Sequence, residues 1–167
     1  MHVQALELSQ FRNYRQLSLE LDPHLNIFVG DNAQGKTNLL ESVYFLATGR
    51  SHRTNRDGDL INWYGEEAQV RAQVATRMGS FTMRANLYRD RRKRFIIGGE
   101  ELRRQSDLLG FLNVVLFSPD DLQLVKGSPS MRRRFIDLVL VQTSKVYRHD
   151  LVNYNKVLQQ RNSFLKS

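Results

Sequence analysis

Apolar and polar residues alternate in short runs through the first part of the chain. Residues 6–8 and 17–21 follow a period of two, which predicts two half-buried strands. The apolar run 25–29 predicts a third strand that leads directly into a glycine. After it, residues 38–47 change to helical spacing, with apolar side chains at positions 39, 40, 43 and 46. The pattern therefore predicts a strand, a glycine-containing loop and a helix in succession.

Strand patterns return in the middle of the chain. Alternation over residues 70–74 and 81–88 predicts two strands, and residues 94–97 predict another that ends in a glycine hairpin turn at 98–99. Residues 114–117 are apolar and predict a buried strand, which a short helix should follow. Strands are therefore predicted to dominate the middle of the chain, between residues 70 and 117.

The last part of the chain has a helical pattern. Residues 131–167 contain no proline or glycine, and apolar residues recur in steps of four and three, interrupted by Arg161, at Tyr147, Leu151, Tyr154, Leu158 and Leu165. This stripe suits an antiparallel helical hairpin or arm, and equally a single amphipathic helix packed on the domain. We predict an α/β chain with a head domain at 1–130 and the start of a helical arm at 131–167.

Composition favours a globular protein with a polyanionic partner. The chain has 167 residues, 41% of them hydrophobic, which is enough for about one domain with a sizeable core. Lys and Arg number 25 against 17 Asp and Glu, a net charge of +8 that favours nucleic acid as a partner. The absence of cysteine excludes disulfides and thiolate chemistry. Because the chain has neither a signal-peptide pattern nor a long apolar run, we expect a cytoplasmic protein.

The loop after the third predicted strand matches G-x-x-x-x-G-K-[ST], a pattern that binds nucleotide phosphates. Its residues are Gly30, Asp31, Asn32, Ala33, Gln34, Gly35, Lys36 and Thr37. The glycines let backbone N–H groups reach phosphate oxygens, and the following helix adds its dipole. Lys36 supplies a cation for the β- and γ-phosphates, and Thr37 a hydroxyl for Mg²⁺. A plain glycine turn with a solvated lysine is the alternative, which the flanking strand and helix patterns disfavour.

Basic residues form three clusters that are candidate DNA contacts, because each cation placed on a phosphate releases counterions. The first cluster is Arg50, Arg53 and Arg56; the second is Arg91, Arg92, Lys93 and Arg94; the third is Arg132 and Arg133. Each cluster is equally explained as a solvated charged face. No aromatic ladder interleaves them, so recognition of the DNA backbone is favoured over base stacking.

Other chemistry finds little support in the sequence. The four histidines are scattered without metal-ligand spacing, and no G-x-S-x-G motif occurs. Trp63 and Tyr64 follow the apolar pair at 60–61 and are most simply core side chains.

Several segments resemble the RecF family of bacterial DNA replication and repair proteins. The longest, residues 119–137, has the sequence PDDLQLVKGSPSMRRRFID. Residues 11–14 (FRNY), 30–38 (GDNAQGKTN) and 49–54 (GRSHRT) agree with the same family. The similarity runs in order through the whole chain. It implies an N-terminal piece of an ABC-type P-loop ATPase head, with a mixed β-sheet and a P-loop helix, followed by a truncated helical arm.

The resemblance also implies roles for single residues. Asn38 would support the phosphate loop, while Arg12 and Asn13 would lie beside the nucleotide. A polar turn between strands is the alternative explanation of Arg12 and Asn13. Asp120 and Asp121 stand where related heads carry a glutamine loop that reports the γ-phosphate, but the glutamine is missing here. They are weak candidates, equally explained as the cap and first-turn acid of a short helix.

From the resemblance we expect ATP and Mg²⁺ to close two heads into a homodimer that clamps DNA at gaps between double- and single-stranded regions. Such a protein would help to load recombinase, support the SOS response and work with mediators such as RecR and RecO. The full-length protein would be a weak DNA-dependent ATPase. The chain shows no apolar strand ending in Asp-Glu, the pair that such heads use to hold Mg²⁺ and activate water, so we expect no hydrolysis by this piece alone.

Two other interpretations stay open at the level of sequence. One is another SMC-like or repair-nuclease ABC ATPase head, which a long coiled coil should follow. The other is a DNA-binding or protein-docking fragment that acts without nucleotide.

Overall fold

The computed structural model describes residues 1–118 and 127–165. Two compact units make up the chain, Met1–Val114 and Val115–Ser167. The candidates Asp120 and Asp121, and the short helix expected around them, lie outside the described residues.

The first unit is built on a six-stranded sheet in the order β2-β1-β3-β4-β5-β6, with antiparallel pairing between all neighbours. The strands are β1 (His2–Phe11), β2 (Tyr14–Glu20), β3 (Glu67–Thr76), β4 (Gly79–Tyr88), β5 (Arg94–Ile97) and β6 (Glu100–Glu101). The alternating segments predicted as strands at 6–8, 17–21, 70–74, 81–88 and 94–97 therefore form strands. The phosphate loop and its helix lie in the connection that leads from the edge strand β2 to the interior strand β3, which pairs with β1.

One face of the sheet packs on helix α1 (Lys36–Thr48). Inward positions of β1, β3 and β4 are buried, as period-two alternation requires. The ring of Phe45 lies between Phe11 and Phe95, with centroid distances of 6.4 and 5.8 Å. Each large apolar side chain buried in this way contributes about 1.5–3 kcal/mol. The core thus fixes α1, and with it the end of the phosphate loop, against the sheet.

Two predicted strands are wrong. Residues 25–29 and 114–117 have no strand conformation, and neither segment pairs with a strand among residues 1–118 and 127–165. Ile27 and Val29 are 74% and 89% exposed, and Phe117 is also exposed. An apolar run becomes a strand only when a neighbouring strand satisfies its backbone N–H and C=O groups, and the described sheet supplies no such neighbour.

Trp63 and Tyr64 are exposed, so their assignment to the core is wrong. Leu60 and Ile61 fill the core, and the chain then turns at residues 62–65, where Gly65 N–H donates to the carbonyl of Asn62 at 2.9 Å. The turn directs Trp63, 92% exposed, into solvent. The buried apolar run therefore ends at Ile61, immediately before the turn begins.

The second unit contains two helices, α2 (Pro129–Thr143) and α3 (Lys145–Phe164), separated by one residue. Ser144 Oγ accepts a hydrogen bond from Tyr147 N–H at 3.1 Å and so caps α3. The Tyr147 hydroxyl donates to Asp137 Oδ1 at 2.5 Å, which joins the two helices. The helical segment is therefore a pair of helices in contact rather than a single helix. Among the described helices, none combines the length and apolar character needed to cross a membrane.

Candidate nucleotide-binding site

Gly35 closes the phosphate loop in a conformation that favours glycine. Its φ of 102° lies in the left-handed region, and it is the residue before α1 begins. A Cβ atom at this position would lie 2.6 Å from Asn13 Nδ2 and 2.8 Å from the Tyr14 hydroxyl. The turn between β1 and β2 therefore packs directly on the loop, and only glycine leaves room for it.

The start of α1 is suited to an anion. Among the described residues no side chain caps it, and its first turn contains no acidic residue that would repel a phosphate. Lys36 Nζ donates to the backbone carbonyls of Gly30 (2.6 Å) and Asp31 (2.7 Å). The lysine thus lies folded across the loop, where its ammonium group can exchange carbonyl oxygens for phosphate oxygens. Thr37, the predicted Mg²⁺ ligand, is exposed beside it.

Two asparagines connect the loop to its surroundings. Asn38 Nδ2 donates to Asn13 Oδ1 at 2.8 Å, and Asn13 Nδ2 donates to the Gln34 carbonyl at 3.3 Å. Arg53 donates to Asn38 Oδ1 at 2.7 Å. Asn13, Asn38 and the loop therefore form one hydrogen-bonded group, which includes a residue of the first basic cluster.

Arg12 points to a different partner from its neighbour Asn13. Its Nε and Nη2 donate to the two carboxylate oxygens of Glu41 at 2.9 and 2.7 Å, and its Nη1 donates to the Asp59 carbonyl at 2.7 Å. The Arg12 backbone adopts a φ of 53°. Its N–H donates to the Leu60 carbonyl at 2.8 Å, and its C=O accepts a hydrogen bond from the Asn62 side chain at 2.7 Å. In this structure the arginine fastens the β1–β2 turn to α1.

Glu41 is a site residue that pattern reasoning missed. It is fully buried on α1, yet it accepts hydrogen bonds from Arg12 and, at 2.5 Å, from Ser51 Oγ, and it lies 3.6 Å from Arg53 Nη1. Burial alone would raise its pKa, but the hydrogen bonds from Arg12 and Ser51 and the positive charges of Arg12 and Arg53 outweigh it, so its pKa lies below the ordinary value. The signal that the sequence offered for Glu41 was an acidic residue among the mostly apolar positions of this helix.

The first and second basic clusters are neighbours in space. Lys93 Nζ donates to the Gly49 carbonyl and to Asp57 Oδ1, both at 2.8 Å, and so ties the β4–β5 connection to the segment that carries Arg50 and Arg56. Other members of these clusters are exposed: Arg50, Arg53, Arg56, Arg91, Arg92 and Arg94. The hydrogen bonds of Lys93 itself connect two segments of the chain.

The remaining predicted DNA contacts are arranged in different ways. The Arg91 guanidinium lies 3.8 Å from the centre of the Tyr88 ring, and Arg94 lies 3.6 Å from Glu101. In the second unit, Arg132 and Arg133 are exposed on α2, and Arg132 donates to the Gly127 carbonyl at 3.1 Å.

Comparison with known proteins agrees with this geometry. The family model described as the RecF/RecN/SMC N-terminal domain matches residues 2–127. The chain belongs to this family. Proteins named DNA replication and repair protein RecF are 46% identical over 167 residues in Clostridium botulinum (strain Loch Maree) and 51% identical over 166 residues in Symbiobacterium thermophilum. These alignments cover 100% and 99% of this chain, but only 46% and 44% of the relatives, so the chain spans less than half of their length.

Solved structures place the fold in the same family. A structure of the recombination mediator protein RecF with ATP has a TM-score of 0.92 at 33% identity, covering 99% of this chain and 44% of that chain. An SMC ATPase structure has a TM-score of 0.68 at 22% identity over 83% of this chain, which shows a shared fold. The predicted α/β fold class, that of the N-terminal part of an ATPase head, is confirmed.

Proposed function

We propose that this chain is the nucleotide-binding part of a RecF-type, ATP-dependent DNA-binding protein of replication and repair. The arrangement of Lys36, the uncapped start of α1 and the Asn13–Asn38 pair around one loop carries the proposal. Its similarity to RecF proteins, including a RecF–ATP structure, supports ATP as the nucleotide. Residues 30–37 of the phosphate loop would hold the phosphates and Asn38 would support the loop, with Arg12 and Asn13 beside the nucleotide.

The described residues fit a triphosphate. First-turn N–H groups of α1 and the Lys36 ammonium present positive charge on one side of the loop, and Gly35 lets the backbone approach closely. The exposed Thr37 hydroxyl is available to a Mg²⁺ ion that accompanies the nucleotide. Mg²⁺ bound there would neutralise phosphate charge. Asp120 and Asp121 are further candidates for a loop that senses the γ-phosphate.

ATP would act by stabilising a dimer of heads. Binding shifts such an equilibrium only when it is tighter in the dimer than in the monomer, so the second copy must either contribute to the site or change its shape. Hydrolysis needs groups beyond those that these residues provide, and in the whole protein we expect it to be slow and stimulated by DNA.

The DNA surface would be centred on the two joined basic clusters. Exposed arginines of both clusters lie on segments that Lys93 ties together, so they can contact one stretch of phosphate backbone. Arg132 and Arg133 on α2 are further candidates. We propose gapped DNA, where duplex meets single strand, as the preferred substrate. RecR and RecO would be the partners in recombinase loading. The whole protein would also support the SOS response and would act in the cytoplasm.

Nucleotide binding by variants of Lys36 tests the proposal. We expect Lys36→Ala to weaken ATP binding at least about tenfold, because a charge-assisted contact to phosphate is lost. Lys145→Ala, which removes an exposed lysine at the start of α3, is the matched control. Light scattering with and without ATP then shows whether wild type alone gains a dimer. Equal ATP affinity in wild type and Lys36→Ala would refute the phosphate-loop assignment. DNA binding with the same affinity in the presence and absence of ATP would favour the nucleotide-independent alternative.

A further inference from the structure

Glu41 occupies the meeting point of three segments. Arg12 reaches it from the β1–β2 turn, Ser51 and Arg53 reach it from the segment after α1, and Glu41 itself lies on α1 five residues after Lys36. The side chain is completely buried. A buried carboxylate is costly to desolvate unless several donors compensate it, and here the donors come from two separate segments of the chain.

We propose that Glu41 is a positioning residue for the phosphate loop, holding Arg12 and Arg53 so that Asn13 and Asn38 are pressed against the loop. The inference rests on the proposed nucleotide site, but it concerns the shape of the loop before any nucleotide binds.

The first connection runs through Arg12. Its backbone is in the left-handed region and is held by Leu60 and Asn62, and the ion pair with Glu41 adds a side-chain anchor to the β1–β2 turn. The next residue, Asn13, contacts the Gln34 carbonyl and packs on Gly35. Because Asn13 is the next residue of the same turn, release of the Arg12 side chain loosens the hold of Asn13 on the loop.

The second connection runs through Arg53. Its Nη1 atom lies 3.6 Å from Glu41 and donates to Asn38 Oδ1, while Asn38 donates in turn to Asn13. Both connections therefore end at the Asn13–Asn38 hydrogen bond. Ser51 supports the same arrangement, since its hydroxyl donates to Glu41 and accepts the backbone N–H of Arg53 at 2.9 Å.

A carboxylate suits this position because each polar group that contacts it in the described part of the chain is a donor. Glutamine has nearly the same shape, but its amide NH₂ would face an N–H of Arg12 or the Ser51 hydroxyl. Glu41→Gln thus removes one acceptor and the negative charge while preserving volume. Glu7→Gln makes the same chemical change in the half-exposed pair with Arg71 on the other face of the sheet and is the matched control.

The test uses the protein at its natural full length. Amide hydrogen exchange of residues 34–39 is measured without nucleotide, and ATP affinity is measured by titration. For Glu41→Gln we expect exchange about tenfold faster and ATP affinity about tenfold weaker, the loss of roughly one charge-assisted hydrogen bond. For Glu7→Gln we expect both within about twofold of wild type. Ser51→Ala, which spares the ion pairs, should give a smaller change of about threefold and serves if Glu41→Gln does not fold.

A double variant separates positioning from a general loss of stability. Since both connections end at Asn13, Glu41→Gln should weaken ATP binding much less in an Asn13→Ala background than alone. Equal, additive losses in the two backgrounds would overturn the inference, as would unchanged loop exchange and ATP affinity in folded Glu41→Gln and Ser51→Ala. If wild type binds no ATP while Glu41→Gln still accelerates loop exchange, the proposed function fails and the positioning role stands.

Discussion

The Arg12 guanidinium donates two parallel hydrogen bonds to the Glu41 carboxylate, across 29 positions of sequence. Glu41 is fully buried and Arg12 is largely so, which leaves little water to screen the pair. The contact joins the turn between β1 and β2 to the helix that follows the phosphate loop. An ion pair as well as apolar packing therefore sets the position of that helix.

Removal of Arg12 should destabilise the fold. Arg12→Ala leaves the Glu41 charge buried without its main partner, and we expect a loss of about 3–5 kcal/mol in the free energy of unfolding. Arg71→Ala, which breaks the half-exposed pair with Glu7, should cost only about 0–1 kcal/mol. Urea unfolding of the three proteins gives both values. Equal losses for the two variants would contradict a special role for the buried pair.

Acid should weaken the fold through Glu41. Its pKa is lower in the folded chain than the ordinary value of 4.5, so the unfolded chain binds the proton more tightly. The stabilisation is complete above pH 4.5 and is lost as the pH falls through the lowered folded pKa. Glu41→Gln lacks this proton-linked contribution, and its unfolding free energy should fall less steeply over that acidic range. Parallel acid profiles for wild type and Glu41→Gln would show that another carboxyl is responsible.

Trp63 should contribute little to stability despite its size. Its side chain is exposed on the turn after Ile61, so we expect Trp63→Ala to change the free energy of unfolding by less than about 0.5 kcal/mol. Phe45→Ala removes a buried ring between two others and should cost about 3–5 kcal/mol. Chemical denaturation of both variants makes the comparison. A large loss for Trp63→Ala would place this residue in a core.

Charge reversal at Arg91 and Arg92 should weaken DNA binding. If both contact phosphates, their replacement by Glu should reduce the slope of log affinity against log salt by about 2. Arg77→Glu reverses an exposed arginine in the β3–β4 turn, outside the three clusters, and should leave the slope nearly unchanged. Fluorescence anisotropy with gapped DNA at several salt concentrations measures the slopes. An unchanged slope in the Arg91 and Arg92 variant would remove this cluster from the DNA surface.

Much of the fold was predictable because its determinants are local. Alternation placed β1 to β5 correctly, and helical spacing after Thr37 placed α1. The phosphate-loop motif is also local, since its two glycines and its lysine lie within eight residues. Residues 25–29 and 114–117 failed because an apolar run does not tell whether a strand has a neighbour to pair with.

The sequence by itself determined the strand faces, the first helix, the phosphate loop and the family resemblance, all of which depend on residue types at short spacing. Only the tertiary structure decided that Arg12 binds Glu41, that Lys93 joins two basic clusters and that Trp63 is exposed. These outcomes depend on which distant segments meet. A charged side chain carries no sign of its partner until the chain folds and burial makes that partner necessary.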